Sequence, residues 1–203
     1  SAAMAAVEEK APLVADVADS IWHYAELSLQ EEQSAAKFCA VLEAEGFRVE
    51  KGICGIPTAF SASFGAGRPV IGLLAEYDAL SGLSQKAGSL RHEEVVPGGC
   101  GHGCGHNLLG AGALAAAIGV KAYLERTHTP GTVVLYGCPG EEGGAAKAFM
   151  AREKLWRTLD AALTWHPEDV NEVVTGSSNA CIQTQYRFTG VAAHAAADPD
   201  RGR

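Results

Sequence analysis

The chain has 203 residues, 47% of them hydrophobic and 20% charged, enough for one sizeable globular core and the start of a second domain. Acidic residues outnumber basic ones 24 to 16, for a formal net charge of -8, and no Lys/Arg run could track a phosphate backbone, so no nucleic-acid partner is expected. The most apolar stretch, LLGAGALAAAIGV at 108–120, falls short of the roughly 20 apolar residues that span a bilayer; it reads as a buried helix, with no membrane partner.

The opening SAAMAAVEEK lacks a basic start and a continuous apolar run, so no secretory signal is read and a cytoplasmic location is expected. The six cysteines are then expected to be reduced thiols, with Cys39, Cys54 and Cys181 structural. Val14, Val17, Ile21 and Ala25 recur at helical spacing, and Phe38, Val41 and Leu42 resume it, so two helices are expected before Gly46. Short β-like runs follow at 47–53, 59–65 and 69–75. The third, PVIGLLA, is apolar on both faces, as in an interior strand of a largely parallel sheet.

A Gly/Ser-rich loop spans 76–105, and a helix is expected from near Asn107, read as its N-cap, to about Arg126. GTVVLYG at 131–137 predicts another interior strand, 145–156 a helix, and DAALTWH at 160–166 a further strand. This alternation predicts an α/β three-layer sandwich with a mainly parallel mixed sheet. Near Ser177 the pattern changes to CIQTQYRFTG, which alternates like a half-exposed strand. The expected domains are therefore 1–176, a metal-binding catalytic part, and 177–203, the beginning of a second, α+β domain.

In open α/β sheets ligands gather at the carboxyl ends of strands. There PVIGLLA is followed by Glu76 and Asp78, GTVVLYG by Glu141 and Glu142, and DAALTW by His166. Beside them GGCGHGCGHN, 98–107, places Cys100, His102, Cys104 and His106 on alternate positions, all facing one way if the segment is extended. Cys104 and His106 adjoin the helix and are better held, so they are the expected ligands ahead of Cys100 and His102. Nothing has the paired knuckles of a structural zinc site, whereas thiolate, imidazole and carboxylate together fit a catalytic Zn²⁺ or Mn²⁺. Adjacent glutamates diverge, so of Glu141 and Glu142 one can bind metal while the other faces a reacting water. A thiol beside an imidazole also suits a cysteine hydrolase, but that leaves Glu141, Glu142 and His166 without a role.

GHGCGHNLLG, PGEEGGAAK, DAALTWHP and FTGVAAHAAADPDRGR together resemble the dinuclear-metal amidohydrolases and peptidases that include aminoacylases, glutamate carboxypeptidases and auxin-conjugate hydrolases. The resemblance implies two divalent ions, Zn or Mn, with Cys104, His106, Glu142 and His166 as ligands and Glu141 as general base and acid. Asp78 would support the site from behind, and Glu76, where other branches carry a histidine ligand, is expected to stay off the metal. His194 would reach a partner subunit's site and stabilise the oxyanion, within a homodimer or heterodimer formed through a lid domain. The implied reaction is hydrolysis of the amide in an N-acyl or N-aroyl amino acid such as p-aminobenzoyl-glutamate. A dipeptide substrate, or a non-catalytic chain that keeps the fold, are the alternatives. Family members continue past the position of Arg203 to complete the lid and add one more histidine ligand, so this stretch is expected to carry an incomplete metal site.

Overall fold

The computed structural model describes residues 2–173, 176, 177, 179–182 and 184–201. Three helices come first, α1 (Ala2–Glu9), α2 (Ala11–Tyr24) and α3 (Glu32–Ala44), one more than the periodicity predicts. The extra break falls at Lys10, because Pro12 lies in the first turn of α2, where its missing N–H leaves no helix bond unmade.

Among the described residues five strands form one sheet: β1 (Arg48–Lys51), β2 (Phe60–Ala66), β3 (Val70–Ala75), β4 (Gly131–Gly137) and β5 (Ala161–Leu163), in the order β1-β2-β4-β3-β5. β3 runs parallel to β4 and β5, while β2 is antiparallel to β1 and β4, so four of the five strands run the same way and the sheet is mixed, with β2 alone reversed. Among the described residues β5 forms an edge of the sheet, and all three of its residues are exposed.

Burial on both faces of β4 makes the layers. Val133 and Leu135 point into a core with Val17 and Ile21 of α2, Phe38 and Leu42 of α3, and Leu114 and Ile118 of α4 (His106–Thr127). Val134 and Tyr136 point the other way, toward Ala146 and Met150 of α5 (Ala146–Arg152) and Trp156 in a 3₁₀ turn. The three-layer sandwich is therefore present. α4 is long and apolar enough to cross a bilayer by length and composition, yet its buried stripe packs on the sheet and on α1 and α2, as in a core helix.

α4 starts one residue before the expected position. Its N-cap is Gly105, whose φ of +76° is left-handed, and a Cβ there would come within 3.1 Å of the Pro167 ring, so glycine suits the position twice over. Asn107 lies inside the helix instead, buried, donating from Nδ2 to the Ala18 carbonyl at 3.3 Å.

Contacts divide the described residues after Asp169, ahead of the boundary expected at 176. From Val170 onward no helix or strand occurs among the described residues; the stretch read as a half-exposed strand, apart from Gln183 outside them, has no ladder partner. Alternation alone does not make a strand where no neighbour accepts its hydrogen bonds. Of the expected second domain, residues 178, 183, 202 and 203 also lie outside the described set.

One buried side chain ties the α2–α3 connection to the loop after β4. Glu31 is fully buried; its Oε1 accepts the Gly140 N–H at 2.7 Å and its Oε2 the Thr58 hydroxyl at 3.1 Å. Burial is the main influence on this carboxyl and raises its pKa, against the backbone hydrogen bonds it accepts. Glu31→Ala would leave the Gly140 amide and the Thr58 hydroxyl buried without that acceptor, and should lower unfolding stability by about 1–3 kcal/mol in a urea titration. An unchanged midpoint and slope would show that Glu31 does not hold this loop.

Candidate metal centre

Parallel pairing of β3, β4 and β5 brings their carboxyl ends to one edge, where the N-terminus of α4 also arrives. Asp78, just beyond β3, is the shared anchor. Its Oδ1 lies 2.9 Å from His106 Nδ1, and its Oδ2 accepts the Ser28 hydroxyl at 2.8 Å and the Glu142 backbone N–H at 2.9 Å. Burial pushes this carboxyl up, but the bonds from His106, Glu142 and Ser28 outweigh it and leave its pKa lowered. Asp78 is thus an ionised acceptor, so His106 carries a proton on Nδ1.

His166 is fixed in the same sense. Its Nδ1 lies 2.9 Å from the Pro167 carbonyl, which can only accept, so Nδ1–H donates and Nε2 is the nitrogen turned to the site. That Nε2 is 3.3 Å from Cys104 Sγ. The Cys104 sulfur and the ligand nitrogens of His106 and His166 all lie within 4.8 Å of one another, with the two rings edge-on at 5.7 Å. Donors around one tetrahedral zinc stand roughly 3.3–3.6 Å apart, so the three need little movement to share an ion.

Two orphaned atoms complete the test of fit. His106 Nε2 is buried without a hydrogen-bond partner, although Glu76 Oε2 lies 3.1 Å away and Glu141 Oε2 3.8 Å away. With the Nδ1 proton committed to Asp78, two acceptors face each other there, an arrangement that only a second imidazole proton or a cation relieves. Glu142 Oε1 is likewise buried and unpartnered, and its side chain meets the Cys104 thiol. Imidazoles oriented through Nδ1, with their Nε2 atoms turned toward a thiol and carboxylates, match the surroundings of a bound divalent metal ion.

Charge supports that fit. The Cys104 thiol is pushed up to about 11, first by burial and then by Glu142, Glu141 and Glu76, so without a cation it stays protonated. A nucleophilic cysteine needs the opposite shift, so these surroundings suit a metal-bound sulfur better than a nucleophile. His106 is pulled down by burial, but Asp78 and then Glu76 and Glu142 overcome this and raise its pKa. Glu141 is raised by burial, then by Glu76 and Glu142, against Lys147. A carboxylate displaced toward neutrality and 41% exposed is placed to exchange protons with a water.

Of the residues expected here, Cys104, His106, Glu142, His166, Glu141 and Asp78 come together. Cys100 and His102 do not join the gathered ligand atoms: buried His102 donates from Nε2 to the Ile21 carbonyl at 2.9 Å and stacks on Trp22. His194 lies in the second unit, where its Nδ1 accepts the Ala196 and Ala197 N–H groups at 3.2 and 3.1 Å. Glu76 is nearer the site than expected, and Ser28, Glu31 and Lys147 were not foreseen. Lys147 forms an ion pair with Glu76 Oε1. An interior strand followed by EYD, and a lysine in a first helical turn, were the available signals.

The model of Peptidase family M20/M25/M40 matches residues 72–197. One subunit of the p-aminobenzoyl-glutamate hydrolase of Escherichia coli is 52% identical over 198 residues, 98% of this chain and 41% of that protein. A Mus musculus Xaa-Arg dipeptidase is 28% identical over 97% of this chain and 44% of its own length. The chain thus spans about two fifths of the length of these relatives. Among solved structures, a Bacillus subtilis dinuclear metal binding peptidase from the M20 family superposes with a TM-score of 0.62 at 25% identity, over 77% of this chain and 43% of that one. With the family model covering more than half its residues, the chain belongs to peptidase family M20/M25/M40.

Proposed function

We infer that the whole protein is a metal-dependent hydrolase that cleaves the amide bond of an N-aroyl or N-acyl amino acid, with p-aminobenzoyl-glutamate as the first substrate to test. The observation that carries this is the convergence of Cys104 Sγ and the imidazole nitrogens of His106 and His166 beside Glu141. The 52% identity to the Escherichia coli hydrolase favours the aroyl-glutamate substrate. The 28% identity to the Xaa-Arg dipeptidase favours a dipeptide as the second reading.

In this reading Cys104, His106, Glu142 and His166 hold two divalent ions, Zn or Mn, together with a ligand from beyond the present stretch. When bound, such ions acidify a water and polarise the amide carbonyl. Glu141 takes the proton of the attacking water and returns it to the leaving amine, a task its raised pKa suits. Asp78 holds His106 in the tautomer that leaves Nε2 free. His194, donated by a neighbouring chain, stabilises charge on the carbonyl oxygen, so the working form is a homodimer or heterodimer built through the lid. A cytoplasmic location, with the cysteines reduced, belongs to the same proposal.

Glu141→Ala in the full-length protein should reduce turnover of p-aminobenzoyl-glutamate by at least about a hundredfold, with metal content by mass spectrometry unchanged. Wild-type turnover in that variant removes Glu141 from the mechanism. Metal binding must displace the Cys104 proton and, where present, the second proton of His106, both held more tightly than usual. Apparent affinity should therefore rise with pH, and calorimetry in buffers of differing ionisation heat should record net proton release. Binding without proton release would contradict the thiolate ligand.

A further inference from the structure

Glu76 has a place in this site that the family resemblance does not give it. It follows β3 directly, is 4% exposed, and directs its two oxygens to different partners. Oε1 pairs with the Lys147 ammonium, and Oε2 lies 3.1 Å from His106 Nε2, the buried nitrogen without a hydrogen-bond partner. That separation is close to the roughly 3.3 Å expected between two ligand atoms on one tetrahedral zinc. The atoms of Glu76, His106 and Glu141 also fall within 4.8 Å of one another, a second gathering that shares His106 with the Cys104 and His166 group. An imidazole nitrogen has one lone pair and so serves one ion; an oxygen beside it faces that same ion.

Lys147 stands in the first turn of α5, where a cation opposes the helix dipole, so nothing in the helix itself favours it. Its ion pair with the buried Glu76 gives a reason for the position. By holding Oε1, the ammonium limits rotation of the carboxylate and leaves Oε2 presented to His106, as partners behind a metal-bound carboxylate commonly do.

We propose that Glu76 is an additional protein ligand to the divalent ion held at His106 Nε2, and that Lys147 is the positioning residue that orients it. The inference rests on the metal-dependent reading above. The test is metal affinity of the full-length protein, measured by calorimetry with Zn²⁺ and Mn²⁺ alone, without substrate. Glu76→Gln should weaken binding by about tenfold or more, because a charged oxygen ligand is lost. Glu76→His, which replaces one ligand by another, should stay within about threefold of wild type. Lys147→Met keeps the carboxylate and should lose less than Glu76→Gln. Should Glu76→Gln not fold, the histidine variant still decides: a loss of tenfold or more there overturns the proposal. So does a Glu76→Gln affinity within threefold of wild type, or an equal loss in Glu76→Gln and Lys147→Met, which would mark the pair as structural only. Wild-type protein that binds neither ion would overturn the metal-dependent reading together with this one. Wild-type binding with an indifferent Glu76 overturns this one alone.

Discussion

The site depends on the three hydrogen bonds that converge on Asp78. One comes from His106 at the start of α4, one from Ser28 between α2 and α3, and one from the backbone of Glu142 after β4. A single carboxylate thereby sets the tautomer of the His106 imidazole, the position of the two-glutamate loop and the seating of the α2–α3 connection. Because the bonds lower its pKa, Asp78 adds stability that is present above its ordinary range near 3.8 and is lost as the pH falls through its folded value. Glu31 holds the same loop from the other side through Gly140.

This arrangement is costly without a cation. Glu76, Glu141 and Glu142 all raise the Cys104 thiol, and Glu76 and Glu142 raise Glu141. Such mutual repulsion in a partly buried place is what a divalent ion relieves, and its relief becomes binding energy. The carboxylates gather at an edge whose neighbouring core, from Phe38 through Tyr77 to Leu135, is fully buried.

Legibility in the sequence followed the range of the interactions. β3 and β4 could be read from apolar runs because both faces are covered, and α4 because its apolar stripe is long. Cys104, His106, Glu141, Glu142 and His166 could be read because each lies next to a strand or helix end. The parallel strand pairing supplied the rest, turning three separate chain positions into one edge. What could not be read depends on partners remote in the chain: Ser28 and Asp78 are 50 residues apart, Glu76 and Lys147 71, and Glu31 and Gly140 109. Glu31 and Glu32 look alike in sequence, yet Glu31 is fully buried. The alternation at 181–190 has no ladder partner among the described residues for the same reason, since a strand is defined by a neighbour that local sequence does not specify.

Membership in peptidase family M20/M25/M40 and the geometry of the edge lead to one central claim, that Cys104 and the two imidazoles share a metal ion. X-ray absorption of the zinc-loaded full-length protein addresses it directly. The account predicts a sulfur neighbour at about 2.3 Å together with nitrogen and oxygen at about 2.0–2.2 Å, and loss of the sulfur shell in Cys104→Ser. A spectrum with nitrogen and oxygen neighbours alone in the unaltered protein would contradict it.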